Sequence, residues 1–117
     1  MAVDISPRVL RRMEKLFVEV ARLRDLPPGA VMIAVYGRDR VALANVDGRV
    51  FGVAAACTHA GASLAKGRLA GFLLECPLHC SRFDVRSGRP ENPPAIDPVR
   101  TYEVRVENDR ILLGVIE

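Results

Sequence analysis

The sequence predicts an all-β fold of the sandwich or barrel-like kind, and three observations predict it. Short apolar segments recur at regular spacing with turn signals between them, which is how antiparallel sheets are written in a chain. Asp47-Gly48 sits between two such segments, and Asp-Gly is a strong signal for a two-residue hairpin. Near the end, Thr101-Tyr102-Glu103-Val104-Arg105-Val106-Glu107 alternates strictly. Its apolar side is Tyr102, Val104 and Val106, the period of a half-buried strand.

Residues 1–16 stand apart from this pattern. Ser6-Pro7 has the form of a helix start, with Ser as the cap and Pro at the first helical position. Val9, Leu10, Met13 and Leu16-Phe17 follow at helical spacing, with Arg11, Arg12, Glu14 and Lys15 among them. Two readings stay open. One is a short basic amphipathic helix, packed on the body or touching an acidic partner or a membrane surface. The other is an extension without fixed structure.

From Phe17 the chain alternates strands and turns. Phe17–Ala21 is a short strand, and Asp25-Leu26-Pro27-Pro28-Gly29 is a turn segment. Ala30–Tyr36 and Val41–Asn45 flank Gly37-Arg38-Asp39-Arg40, which reads as a hairpin loop. Val50–Ala54 follows the Asp47-Gly48 turn. Leu73–Glu75 is a short strand after Ala70-Gly71. Phe83–Val85 is another, and Ser87-Gly88 turns the chain. Residues 90–98 hold four prolines and cannot form a central strand, because proline cannot donate to the ladder. Thr101–Glu107 reads as one strand, and Asn108-Asp109 turns it into Ile111–Ile116.

The bulk numbers limit the function. A chain of 117 residues makes one domain. At that size it buries roughly 65% of its unfolded surface and needs no staples. No apolar run approaches the ~20 residues of a membrane span, so no membrane is expected as a partner. Met1 to Lys15 has no apolar core of a secretory leader. The net charge is +3 and the pI about 9.1. The excess is mild and spread out; with 5% aromatics and no nucleic-acid motif, no nucleic-acid partner is expected. Three cysteines, two of them candidate metal ligands, leave no disulfide pair and suit a reducing cytoplasm.

The chemistry is concentrated in two motifs. Cys57-Thr58-His59 and Cys76-Pro77-Leu78-His79 use both histidines of the protein and two of its three cysteines. Residues 60–75 lie between them and into the second motif runs the strand at 73–75. Two thiolates and two imidazoles in paired units read as a metal site. Structural zinc usually shows C-x(2–4)-C and H-x(3–5)-H spacing, whereas here Cys and His are mixed within each half. A zinc or redox-sensing interaction module stays open on the residues alone. A Cys–His catalytic dyad would use one pair and leave the other without a role. In a Rieske [2Fe–2S] centre, two Cys hold one iron and two His the other. Neutral imidazole adds no negative charge, so the potential rises to roughly −150 to +300 mV, against about −400 mV for all-cysteine plant-type clusters. That division fits motifs that each supply one Cys and one His.

The surrounding residues resemble the Rieske-type ferredoxins. Cys57-Thr58-His59-Ala60-Gly61 resembles the first Rieske box, and Cys76-Pro77-Leu78-His79-Cys80-Ser81-Arg82-Phe83-Asp84 the second. Glu91-Asn92-Pro93-Pro94-Ala95 is similar to the proline loop that covers the cluster in that family. The likeness runs from about Phe17 to Ile116, so residues 17–117 are expected to be one domain with its cluster-binding segment at about 57–81. The resemblance implies an antiparallel β-sandwich with a small two-loop subdomain. It implies Cys57, His59, Cys76 and His79 as iron ligands, with the histidine edges at a solvent-facing tip where partners dock. Gly61, Pro94, Cys80, Ser81 and Phe83 are the expected surroundings of the cluster.

The resemblance also bears on the potential. The high-potential respiratory relatives place a Ser two positions after the second His and a Tyr four positions after it, both donating to sulfur. Here those places hold Ser81 and Phe83. Those relatives also link the loops by a disulfide, at positions that are Ala62 and Leu78 in this chain. One donor of the two remains and the disulfide cannot form, so a potential near the lower end of the Rieske range is expected. Cys80 directly follows His79, and its simplest role is to fill the loop with a small side chain. The alternative is ligand exchange or redox sensing, and an unaltered spectrum in Cys80→Ser would remove it.

The function this implies is electron carriage, not catalysis. The chain would take one electron from an NAD(P)H-fed flavoprotein reductase and pass it, as a monomer, to a terminal Rieske oxygenase of the ring-hydroxylating type. The other readings are a Rieske-like small subunit of a nitrite reductase system, or the zinc or redox-sensing module above. The oxygenase's own catalytic iron needs two further histidines, and both are already used.

Overall fold

The computed structural model describes residues 16–58, 61–78 and 81–114, which contain ten strands and two single-turn 3₁₀ segments. The helix expected within residues 1–16 lies outside the described residues, except for Leu16, which is in no regular element. The strands are β1 (Phe17–Arg22), β2 (Val31–Tyr36), β3 (Asp39–Val46), β4 (Arg49–Ala54), β5 (Arg68–Ala70), β6 (Leu73–Glu75), β7 (Arg82–Asp84), β8 (Thr101–Tyr102), β9 (Val104–Glu107) and β10 (Arg110–Gly114). All pairings are antiparallel. They form three sheets, ordered β1-β10-β9, β2-β3-β4-β8 and β5-β6-β7.

The hairpins follow from their turn residues. Asp47 and Gly48 both have positive φ, 50° and 96°, and Val46 faces Arg49 across the turn. Two left-handed residues match the twist of the flanking strands, which is why Asp-Gly works there. In the two-residue turn from β9 to β10 only Asn108 takes a positive φ, 57°. The loop expected over 37–40 is shorter than its four residues. Tyr36 pairs with Asp39, so only Gly37 and Arg38 turn and Asp39 and Arg40 already belong to β3. Asp39 and Arg40 read as loop because they are polar, and they are polar because this end of the strand is exposed. The strand expected at 83–85 lies one residue earlier, and β5 was not anticipated, since three residues carry too little pattern.

The strand expected over 101–107 is two strands in two sheets. Thr101 and Tyr102 pair with Val53 and Gly52 of β4. Past Glu103 the chain crosses over, and Val104–Glu107 pair with β10. The Glu103 carbonyl accepts the Gly114 N–H at 2.9 Å at the crossing. The alternation of period two is the same in both sheets, so it hides the switch.

β3 sets the architecture. Its residues 41–46 are all buried, and successive side chains of a strand point to opposite faces. Val41 and Leu43 enter one core with Leu26, Ala34, Tyr102, Ile111 and Leu113. That core lies between the β2-β3-β4-β8 sheet and the β1-β10-β9 sheet, a sandwich. A Cβ on Gly52 would meet Val104 and Val41 side-chain carbons at 3.3 Å, which shows how closely the two sheets approach. Ala42, Ala44 and Val46 point the other way, into a second core with Val53, Ala55, Leu64, Leu74, Phe83, Val85, Ala95 and Val99. This second core carries the small subdomain built on β5-β6-β7. Asn45, the buried polar residue of β3, is satisfied: its amide donates to the Leu26 carbonyl at 2.8 Å and its oxygen accepts from Gly48 N–H at 2.8 Å.

Candidate metal centre

Both motif cysteines lie in the second core. Cys57 is 3% exposed and Cys76 0%, and neither is in a disulfide. The two loops that carry them close in the same way. The Cys57 N–H donates to the Ala62 carbonyl at 2.9 Å, and the Cys76 N–H to the Ser81 carbonyl at 2.7 Å, each to the residue five positions on. Each box is thus a short closed loop with its cysteine at the start, anchored in the core. In the first box Gly61 takes φ 70°, a left-handed value that an L side chain rarely adopts, and its N–H donates to the Cys57 carbonyl at 2.8 Å. The Leu64 N–H then bonds the Ala55 carbonyl and returns the chain to the body.

A close approach holds the second box against the subdomain sheet. A Cβ on Gly67 would stand 2.0 Å from the Glu75 carbonyl oxygen, so only glycine fits beside the residue that precedes Cys76. Along the outer face of that sheet Arg68, Glu75 and Arg82 are cross-strand neighbours. On the inner face Leu74 pairs with Leu69 and Phe83 and fills the core under the boxes.

The proline segment straps the two boxes together. The Thr58 hydroxyl donates to the Asp97 carbonyl at 2.7 Å. The Ala95 N–H donates to Ser81 Oγ at 3.1 Å, and the Arg82 N–H to Asn92 Oδ1 at 2.7 Å. The Glu91 N–H bonds the Arg82 carbonyl at 2.7 Å, and Phe83 bridges to Pro90. As expected, residues 90–98 form no strand beyond that single bridge. Ala95 is buried, whereas Pro94 and Ile96 are exposed, Ile96 at 83%. Leu78, in the second box, is 63% exposed.

Ser81 and Phe83 are both fully buried. Ser81 Oγ accepts from Ala95, which leaves its own O–H proton to donate elsewhere. Phe83 has no such proton. Farther along, the Asp84 carboxylate accepts from the Arg86 N–H at 2.9 Å and from its guanidinium at 3.0 and 2.8 Å. These bonds hold the Asp84 carboxyl below its ordinary value. The same guanidinium lies 3.9 Å over the Phe72 ring.

Of the sequence-derived site, the structure thus brings together Cys57, Cys76, Gly61, Ser81, Phe83 and the proline segment, on which Pro94 itself is exposed. His59, His79 and Cys80 lie outside the described residues. Sequence reasoning missed Thr58, Asn92 and Ala95 as the residues that join strap to boxes. Asn92 carried a signal, because Asn in a proline-rich turn often bonds nearby backbone; the Ala95 N–H carried none.

Two buried thiols free of disulfide, at the starts of two matched loops, fit an iron–sulfur group anchored by cysteine. Fold and site therefore define a small all-β iron–sulfur protein. The chain belongs to the Rieske [2Fe–2S] domain family, whose model matches residues 17–103. It is 37% identical over 102 residues to the ferredoxin component of the naphthalene 1,2-dioxygenase/salicylate 5-hydroxylase systems of Ralstonia sp., covering 86% of this chain and 97% of that one. The ferredoxin of carbazole 1,9a-dioxygenase from Nocardioides aromaticivorans IC177 superposes with a TM-score of 0.80 at 37% identity, covering 83% of this chain and 95% of that one. A ferredoxin solved in complex with the reduced oxygenase of carbazole 1,9a-dioxygenase superposes with a TM-score of 0.79 at 28% identity, over 86% and 94% of the two chains.

Proposed function

We propose that this protein is the ferredoxin component of a ring-hydroxylating dioxygenase system. It carries one electron from an NAD(P)H-fed flavoprotein reductase to the terminal oxygenase. The observation that supports this most is the pair of buried, disulfide-free thiols in matched loops, in a chain that spans nearly the whole length of dioxygenase ferredoxins. When bound, the [2Fe–2S] cluster supplies a site that takes up and releases a single electron.

The residues divide the work. Cys57 and Cys76, buried in the apolar core, would hold one iron, and His59 and His79 would hold the other. The backbone strap keeps the boxes fixed, so that the geometry changes little between oxidation states. Ser81 has its proton free to donate to a sulfur and stabilise the reduced, more negative state. Phe83 adds no second donor. The potential therefore lies low in the Rieske range. Leu78, in the second box, and Ile96, in the strap, are exposed apolar side chains that a docking partner would meet. The protein acts as a monomer in the cytoplasm, and among the described residues no helix is long and apolar enough to cross a membrane. The domain runs over 17–117, with the cluster segment at about 57–81.

The deciding experiment is the EPR spectrum of the dithionite-reduced protein, with iron and acid-labile sulfide counted on the same sample. A rhombic signal with the low average g of mixed Cys/His ligation, and equal iron and sulfide, is expected. Zinc without sulfide, in a sample that has not lost cluster, would sink the proposal. Reconstituted oxygenase turnover that depends on this protein would establish its place in the chain.

A further inference from the structure

The sheet face that carries the cluster subdomain is only partly covered. Val31 packs under the subdomain, but Ile33 and Val35, on the same face of β2, are 41% and 68% exposed. β2 is an edge strand, bonded to β3 alone. Its sequence, Val-Met-Ile-Ala-Val-Tyr, has no charge and no proline, the devices that usually blunt an edge. The pairing of Tyr36 with Asp39 closes a two-residue hairpin. Bonded and non-bonded residues alternate from there, so Tyr36, Ala34 and Met32 bond β3 while Val35 and Ile33 turn their N–H and C=O groups outward. Among the described residues no backbone hydrogen bond takes those groups.

At the hairpin end of this edge lies an open groove of about 360 Å³, lined by Ile33 of β2, by Arg38, Asp39 and Arg40, by Tyr102, and by Ala56, Gly61 and Ser63. Part of its wall is thus the first box. Arg38 and Arg40 are exposed and form no ion pair among the described residues. Arg40 is the cross-strand neighbour of Val35. Asp39, between them, takes the Tyr102 hydroxyl at 3.4 Å.

We propose that the β2 edge and this groove bind an extended segment of the electron-transfer partner, with apolar side chains in alternation and carboxylates at the end that meets Arg38 and Arg40. The segment adds to the sheet as a fifth strand, with main-chain bonds to Ile33 and Val35 supplying affinity and the arginines fixing its direction. The carboxylates follow from charge complementarity, since two exposed guanidiniums that form no ion pair among the described residues stand at the end of an apolar strand, and Asp39 between them is engaged by Tyr102. A second copy of this basic chain would bring like charges together instead. The segment leads to the first box, continuous with the docking tip. The proposal rests on the electron-carrier reading for who the partner is.

Hydrogen exchange of residues 31–36 in the holoprotein tests it. The probe is a short acetylated peptide alternating valine and threonine and ending in two aspartates, with a counterpart ending in two lysines. The acidic peptide is expected to slow exchange at Ile33 and Val35 about tenfold, as ordered strand pairing does, and the lysine peptide is not. The double variant Arg38→Glu/Arg40→Glu is expected to lose this protection while keeping its EPR spectrum and potential. No slowing, equal slowing by both peptides, or slowing that rises with protein concentration alone would overturn the proposal. The last result would mean self-pairing. Oxygenase turnover that fails with the unaltered protein would defeat the carrier reading without changing the exchange result.

Discussion

At the residue scale the potential is expected to depend on one hydroxyl. Ser81 Oγ is buried and accepts from the Ala95 N–H, so the remaining O–H proton has one direction left to serve. Ser81→Ala is expected to lower the midpoint potential by on the order of 100 mV. That is the shift which a charge-assisted bond of about 1.5–3 kcal/mol gives in a one-electron couple. The same change leaves the Ala95 N–H without its acceptor, at a cost of about 1–3 kcal/mol. Phe83→Tyr is expected to move the potential the other way, by restoring a donor in the second place. Voltammetry of both variants checks this, and equal potentials in all three proteins would remove hydrogen bonding as the cause.

At the scale of elements, two contacts hold the boxes in place. Gly67 lies against the backbone of β6 just before Cys76, and a Cβ there would collide with the Glu75 carbonyl. A backbone atom cannot swing aside as a side-chain tip does. Gly67→Ala is expected to destabilise the protein by about 1–3 kcal/mol or more and to speed loss of visible absorbance in the presence of a chelator. The β7 turn depends on charge. The bonds from Arg86 lower the Asp84 pKa below its ordinary 3.8. A carboxyl with a depressed folded pKa adds stability that is present above the unfolded value and is lost as pH falls through the folded one. Wild type is therefore expected to melt above Asp84→Asn at pH 7, with the difference closing below pH 3.8. Thermal melts across pH 2–7 check the sign, at the roughly one-unit spacing that a single carboxylate titration needs.

At the scale of the molecule, β3 joins the two cores. Val41 and Leu43 belong to the sandwich and Ala42, Ala44 and Val46 to the core that holds the cysteines. Damage to the sandwich should therefore reach the cluster. Leu43→Ala is expected to cost about 2–5 kcal/mol, although Leu43 is in the core that does not contain Cys57 or Cys76. On heating, far-UV circular dichroism and cluster absorbance are expected to change together in wild type and variant, at a lower temperature in the variant. Cluster loss that kept its wild-type temperature in Leu43→Ala would show the subdomain to be independent of the sandwich.

The sequence by itself determined the class of fold and named the candidate donor set. Cys57-Thr58-His59 and Cys76-Pro77-Leu78-His79 carry their chemistry in residue type and spacing, and alternation and turn residues mark strands because both are local. The Asp47-Gly48 hairpin, the strand at Leu73–Glu75 and the strandless proline segment were legible for the same reason. Tertiary structure alone decided where those local units meet. It divided Thr101–Glu107 between two sheets, since strands in either sheet share one period. It gave β3 two buried faces, which a continuous apolar run permits but does not dictate. It brought Asp97, Ala95 and Asn92 to Thr58, Ser81 and Arg82. Each of those bonds pairs one side chain with a backbone group that every residue has, so the sequence marks at most one of the two partners, and only the packed chain selects which carbonyl and which N–H will pair.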